Sequence, residues 1–196
     1  MLLKLPLILI TFSSFAQATD LSSVDIANFH QTNTHLYRGG RPTSIGLSEL
    51  KDLGVATIID LQGGDLHSSF GDEVNHVEKG ERPEDIAKEK SETVSLGMNF
   101  YNFPLDSMNK VTDEEGEWID EALRIIADPA QQPVYIHCAH GKDRTGLVVA
   151  LERVNQEEWA PKAARAEWIK YGHTRKSRVV THDLDRYFFK VTSDNP

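Results

Sequence analysis

The sequence predicts a single α/β domain in which a central, mostly parallel sheet is flanked by helices. Three observations carry this reading. Strand and helix signals alternate from end to end, with no internal repeat and no low-complexity tract. The runs Val55 to Leu61 and Pro133 to His137 are apolar and rich in β-branched residues without clear alternation, the pattern of strands covered on both faces. Finally, 196 residues with 39% hydrophobic and 26% charged content suffice for one ordinary core, which excludes a wholly disordered chain or a polytopic membrane protein.

The elements follow in order. Residues 1–18 carry one lysine, an apolar run from Leu5 to Ile10 extended by Phe12 and Phe15, and then Ala16-Gln17-Ala18. That is the pattern of a secretory signal peptide cleaved after Ala18, leaving one folded domain over 19–196. No other stretch is apolar and long enough to span a bilayer, and no cysteine stands at the cleavage point to take a lipid. The expected location is therefore periplasmic or secreted, with no stable membrane insertion after signal removal. His35 to Arg38 is a short strand closed by Gly39-Gly40, and Thr43 to Leu53 is a helix with Ile45, Leu50 and Leu53 at helical spacing. Val55 to Leu61 is the next strand, ended by Gly63-Gly64. The polar stretch from Asp65 to Arg82 reads as a long surface loop, a candidate lid. Pro83 opens a helix to about Ser95, with Ile86 and Val94 on its inner face and Gly97 beyond its end. Asn99 to Phe103 is a strand. Thr112 and Glu115 form a capping box, and Trp118, Ile119, Ala122, Leu123 and Ile126 line the following helix up to Asp128-Pro129. After the strand Pro133 to His137, a helix begins near Thr145. Two more, Pro161 to Tyr171 and His182 to Lys190, contribute Trp168, Ile169, Leu184, Tyr187 and Phe188 to packing.

Between the last strand and its helix lies His137-Cys138-Ala139-His140-Gly141-Lys142-Asp143-Arg144-Thr145-Gly146. A tight turn from strand to helix points successive N–H groups inward, and the helix adds unsatisfied donors and the positive end of its dipole. Such a turn binds an anion. Residues Ala139, His140, Gly141, Lys142 and Asp143 would form the cradle, and Arg144 would grip two phosphate oxygens with its planar fork. Cys138 is the chain's one cysteine and cannot pair within it; at the floor of this positive field its thiolate is favoured, which makes it a nucleophile. Thr145 can donate its hydroxyl to that sulfur. The formal charge of −9 leaves no broad surface for nucleic acid, so a small phosphorylated ligand is the expected partner.

This Cys-x5-Arg loop resembles the signature of the cysteine-based phosphatase superfamily, with Gly141 and Arg144-Thr145 matching it better than the loop of rhodanese-like sulfurtransferases. Leu36 to Pro42 and Gly54 to Leu61 are similar to the opening strands of the atypical dual-specificity group. The resemblance implies a phosphocysteine intermediate, no metal, no cofactor, and a carboxylic acid on a separate loop. Asp106, in Phe103-Pro104-Leu105-Asp106-Ser107, looks like the acid of the atypical dual-specificity and inositol-phosphate branches. Asp143, inside the cradle, and Asp113, a first-turn helix acid, are its rivals. The Trp-Pro-Asp loop and tyrosine-recognition segment of the larger tyrosine phosphatases are absent, and Gln62 stands where many relatives carry arginine.

His140 and Lys142 add positive charge to the rim beyond what one phosphomonoester needs, with Arg38, Arg41 and the cluster His173, Arg175, Lys176 and Arg178 as further contacts. The expected activity is therefore hydrolysis of inositol polyphosphates, similar to tyrosine-phosphatase-like phytases. The alternatives are a dual-specificity protein or phosphoinositide phosphatase and a non-catalytic phosphate-binding module. Neither His137 nor His140 has a third partner at zinc spacing, so no metal centre is expected.

Overall fold

A computed structural model describes residues 21–63, 80–106, 109–173 and 182–193. The expected leader, all but the last residues of the 65–82 loop, and Arg175, Lys176 and Arg178 lie outside them. The chain forms strands β1 (His30–Gln31), β2 (Leu36–Gly39), β3 (Thr57–Asp60), β4 (Asn99–Asn102) and β5 (Val134–His137). Its helices are α1 (Ser44–Asp52), α2 (Pro83–Ser95), α3 (Asp113–Ala127), α4 (Arg144–Asn155), α5 (Pro161–Lys170) and α6 (His182–Ser193). The sheet order is β1-β2-β5-β3-β4. Only β1 is antiparallel to its neighbour, and β2, β5, β3 and β4 run parallel.

The register decides where chemistry can happen. Gly39 and Asp60 both lie opposite His137, so β2, β5 and β3 end level with one another. In an open parallel sheet the crevice outside these carboxyl ends is where ligands bind, and Cys138 is the first residue beyond β5.

One face of the sheet is covered by α3, α4, α5 and α6 around Leu123, Ile126, Ile136, Leu147, Val148 and Trp168. On the other, Leu47, Leu50, Ile58, Met98 and Tyr135 pack together. The helix α4 is buried on every side from Arg144 to Arg153, being enclosed by α3, α5, α6 and the sheet. That makes it a rigid base for the loop at its start.

Three packing expectations are corrected. Val94 is 55% exposed and Ile86 half-buried, while the buried positions of α2 are Glu89 and Thr93, because that helix faces a charged cluster rather than the apolar core. Ile45 is 64% exposed: α1 turns Gly46, Leu47 and Leu50 inward, and Gly46 passes so close to Ile26 that a Cβ would crowd it. Ile169 is 42% exposed, leaving Ala164 and Trp168 as the inner residues of α5. The two-residue edge strand β1 has too short a pattern to be read from sequence.

Candidate active site

The loop from Cys138 to Arg144 is shaped from outside. Gly141 accepts at its carbonyl from Arg38 Nη2 at 2.7 Å and Asn28 Nδ2 at 2.9 Å. The Lys142 carbonyl accepts from Trp168 Nε1 at 2.9 Å, and that of Ala139 from the Arg41 N–H at 3.3 Å. With carbonyls tied outward, N–H groups are left for the interior, and those of His140 and Thr145 point at the Cys138 sulfur. Gly141 has φ +67°, and a Cβ there would collide with the backbone of Gly39, so only glycine lets the loop pass over β2.

Cys138 is buried, and burial alone would raise its pKa; the Arg144 charge, the Thr145 hydroxyl and the two N–H groups outweigh it and hold the thiol below its ordinary value. Among the described residues the Thr145 hydroxyl has no oxygen or nitrogen partner, and it bonds to the sulfur. Arg144 is itself fixed: Nη1 donates to the carbonyls of Leu61 and Leu105 at 3.4 and 3.2 Å, and Nη2 to Glu81 Oε1 at 2.7 Å. Glu81 is fully buried and also accepts from the Gly63 N–H at 2.6 Å. This carboxylate at the end of the expected surface loop was missed, since nothing in a mixed-charge stretch marks which acid turns inward.

Below the cradle, His137 Nε2 lies 2.8 Å from Glu89 Oε1 and Nδ1 lies 3.7 Å from Asp60 Oδ1, all fully or almost fully buried. Burial would lower the His137 pKa, but Glu89 and Asp60 overcome it and raise the value to about 9. Asp60 is pushed up to about 7, first by burial and also by Glu89. Glu89 stays below its usual value despite burial because His137 and Arg41 pair with it; Arg41 Nε lies 3.0 Å away. The expectation that no third ligand stands near His137 is thus corrected: Asp60 and Glu89, distant in sequence, bring potential ligand atoms within 4.8 Å of one another and of His137. In the protein as described, the trio is a buried ion-pair network directly beneath the loop.

Asp106 sits where β4 leads toward α3. Its backbone N–H donates to Glu115 Oε1 at 2.6 Å, and its carboxylate accepts from the Asn109 N–H at 3.2 Å and Nδ2 at 2.6 Å. Because the preceding carbonyl, Leu105, accepts from Arg144, the acid loop is tied directly to the cradle. Asp106 lines a cavity of about 440 Å³ with Pro104, Asn109, Lys110 and Trp118. The rivals have other employment: Asp113 opens α3, and Asp143 Oδ1 pairs with His173 Nδ1 at 2.7 Å. Three expected rim contacts are corrected. Arg38 is fully buried under Gly141 and over the Tyr171 ring, and Arg41 is held by Glu89 and Asp85. His173 is likewise buried, whereas His140 and Lys142 are exposed at the rim.

Comparison with known proteins agrees with this geometry. Residues 9–182 match the model of the family described as DSP-PTPase phosphatase fused to NAD+ kinase. OCA1 of Meyerozyma guilliermondii, assigned by name to the tyrosine-protein phosphatases, is 27% identical over 86% of this chain and 84% of its own. Inositol diphosphatase DSP2 of Oryza sativa subsp. japonica is 30% identical over 66% of this chain and 55% of its own. Among solved structures, TpbA of P. aeruginosa superposes with a TM-score of 0.60 at 22% identity, covering 89% of this chain and 88% of that one. The core catalytic domain of the PP-IP phosphatase SIW14 from S. cerevisiae gives 0.61 at 19% identity, covering 87% and 88%.

Proposed function

The chain belongs to the DSP-PTPase phosphatase family and is a cysteine-dependent phosphatase, and from that premise we propose that it is an exported phosphomonoesterase acting on inositol polyphosphates. The observation that carries the substrate class is the state of Lys142. Its neighbour Asp143 is taken by His173, and among the described residues no carboxylate pairs with the lysine, so its exposed ammonium is available to a second phosphate beside the one held by Arg144. The plant relatives named inositol diphosphatases support the same class. Export rests on residues 1–18 alone, and is checked by fractionating cells and sequencing the mature N-terminus, expected at Thr19.

In the mechanism, the Cys138 thiolate attacks phosphorus as the bond to the inositol oxygen breaks. Arg144 and the inward N–H groups hold the equatorial oxygens through the transition state. Asp106 gives its proton to the departing oxygen. The resulting carboxylate then takes a proton from water, which attacks the phosphocysteine; the S–P bond breaks, releasing phosphate and restoring the thiolate.

The test is phosphate release from inositol polyphosphates, phosphotyrosyl peptides and phosphoinositides at matched concentrations. The reading expects the highest kcat/KM on the inositol polyphosphates, with Lys142→Ala raising KM there more than on an aryl monophosphate. A preference for phosphopeptides unaffected by Lys142→Ala would favour the protein phosphatase alternative.

A further inference from the structure

Asp143 occupies the N-cap position of α4, where an aspartate ordinarily accepts from the N–H of the second or third helical residue. It makes no such bond here. Its carboxylate is instead paired at 2.7 Å with Nδ1 of His173, whose side chain is wholly buried and stacked on Trp168 at a centroid distance of 3.9 Å. The far nitrogen of His173 faces Asp185 Oδ2 at 3.5 Å, and Arg165 grips Asp185 with Nε at 2.7 Å and Nη2 at 3.2 Å. The imidazole is therefore anchored on two sides, by Trp168 of α5 and Asp185 of α6. Meanwhile the N–H of Thr145, in the first turn of α4, is turned to the cysteine. A carboxylate swung onto the start of α4 would compete for that donor and place a negative charge where the phosphate must lie.

We propose that His173 is a positioning residue that holds the Asp143 carboxylate off the start of α4 and so keeps the cradle open to its anion. This deepens the phosphomonoesterase reading and rests on it. The consequence is a specific coupling: removing the imidazole donor is harmful because of Asp143, and removing Asp143 abolishes that harm.

The experiment is a double-mutant cycle with His173→Phe, which keeps the ring volume and the stack on Trp168, and Asp143→Ala. For both single variants, the double variant and the wild type, KM and kcat are measured with an aryl phosphate. Inorganic phosphate binding is read by calorimetry, and Tm by thermal unfolding. His173→Phe should weaken phosphate binding and raise KM about tenfold or more, since like charges a few ångströms apart repel strongly at such a site. It should change kcat less. The double variant should bind phosphate as Asp143→Ala does, and more tightly than His173→Phe. Additive losses, or a fall in Tm with no rescue of phosphate binding by Asp143→Ala, would overturn the proposal. A set of proteins that binds phosphate in the expected pattern but turns nothing over would sink the phosphatase reading and keep this one. A wild type that does not bind phosphate would overturn both.

Discussion

Replacing Glu81 by glutamine removes one charge from the support of Arg144 with almost no change in volume. The carboxylate serves three buried donors at once, Arg144 Nη2 at 2.7 Å, Gln62 Nε2 at 3.4 Å and the Gly63 N–H at 2.6 Å. A glutamine has one carbonyl oxygen for these donors and presents its amide hydrogens to the rest. The guanidinium keeps the carbonyls of Leu61 and Leu105, at 3.4 and 3.2 Å, but loses the negative charge of Glu81 beside it. Breaking one side of a buried ion pair costs about 3–5 kcal/mol. The retained acceptor places glutamine at the lower end, about 3 kcal/mol, or a fall in Tm of about 6–12 °C for a domain of this size. Phosphate bound in the cradle returns a negative charge to Arg144, so saturating phosphate should raise the Tm of Glu81→Gln by more than it raises that of the wild type. Differential scanning calorimetry with and without phosphate reads both quantities. A variant within about 2 °C of the wild type, with the same phosphate shift, would refute the claim that this pair holds Arg144.

Cys138→Ser should abolish turnover while leaving Tm and phosphate affinity close to wild type, because the cradle is built largely from backbone donors; loss of phosphate binding in calorimetry would contradict this. Asp106→Asn should slow hydrolysis of an inositol phosphate by about 10²-fold or more and affect the phosphorylation step with an activated aryl phosphate much less, which stopped-flow and steady-state rates separate. If Asp143→Asn gives that selective pattern instead, the acid lies inside the cradle. The network under the loop sets a pH dependence of stability. The His137 pKa is raised from 6.5 to about 9, so its contribution is complete below pH 6.5 and lost as pH rises through 9; that of Asp60, raised from 3.8 to about 7, is lost as pH rises through 7. Tm should therefore fall between pH 6 and 9.5, less steeply in Glu89→Gln, and a flat or rising profile would be inconsistent with a buried imidazolium.

The sequence made the elements of this site legible where local physics decides them. The apolar runs around Ile58 and Ile136 identify parallel strands, Thr112 with Glu115 caps α3 as its spacing requires, and the turn from Cys138 to Thr145 needs a strand before it and a helix after it. What the residues do across the fold was less visible. Arg38, Arg41 and His173 read as rim cations because sequence conveys charge without direction, yet Arg38 and His173 are drawn inward to hold the loop at Gly141 and Asp143, and Arg41 to pair with Glu89. Glu81 and Glu89 stand in charged stretches that look solvated, and only tertiary contact with Arg144 and His137 explains their burial. The same contact reversed the inner face of α2, where apolar spacing pointed to Val94 and the fold chose Glu89 and Thr93. Such long-range charge pairing has no sequence period.

The most direct test of the central claim is an acid-quenched single turnover of the wild type with an inositol polyphosphate, in the presence of a metal chelator, followed by mass spectrometry of the peptide containing Cys138. The expected result is a transient peptide carrying one phosphoryl group on Cys138, formed and lost at rates compatible with kcat. Full turnover with no modified Cys138, phosphate found on another residue, or activity that disappears with the chelator and returns with a divalent cation would contradict it.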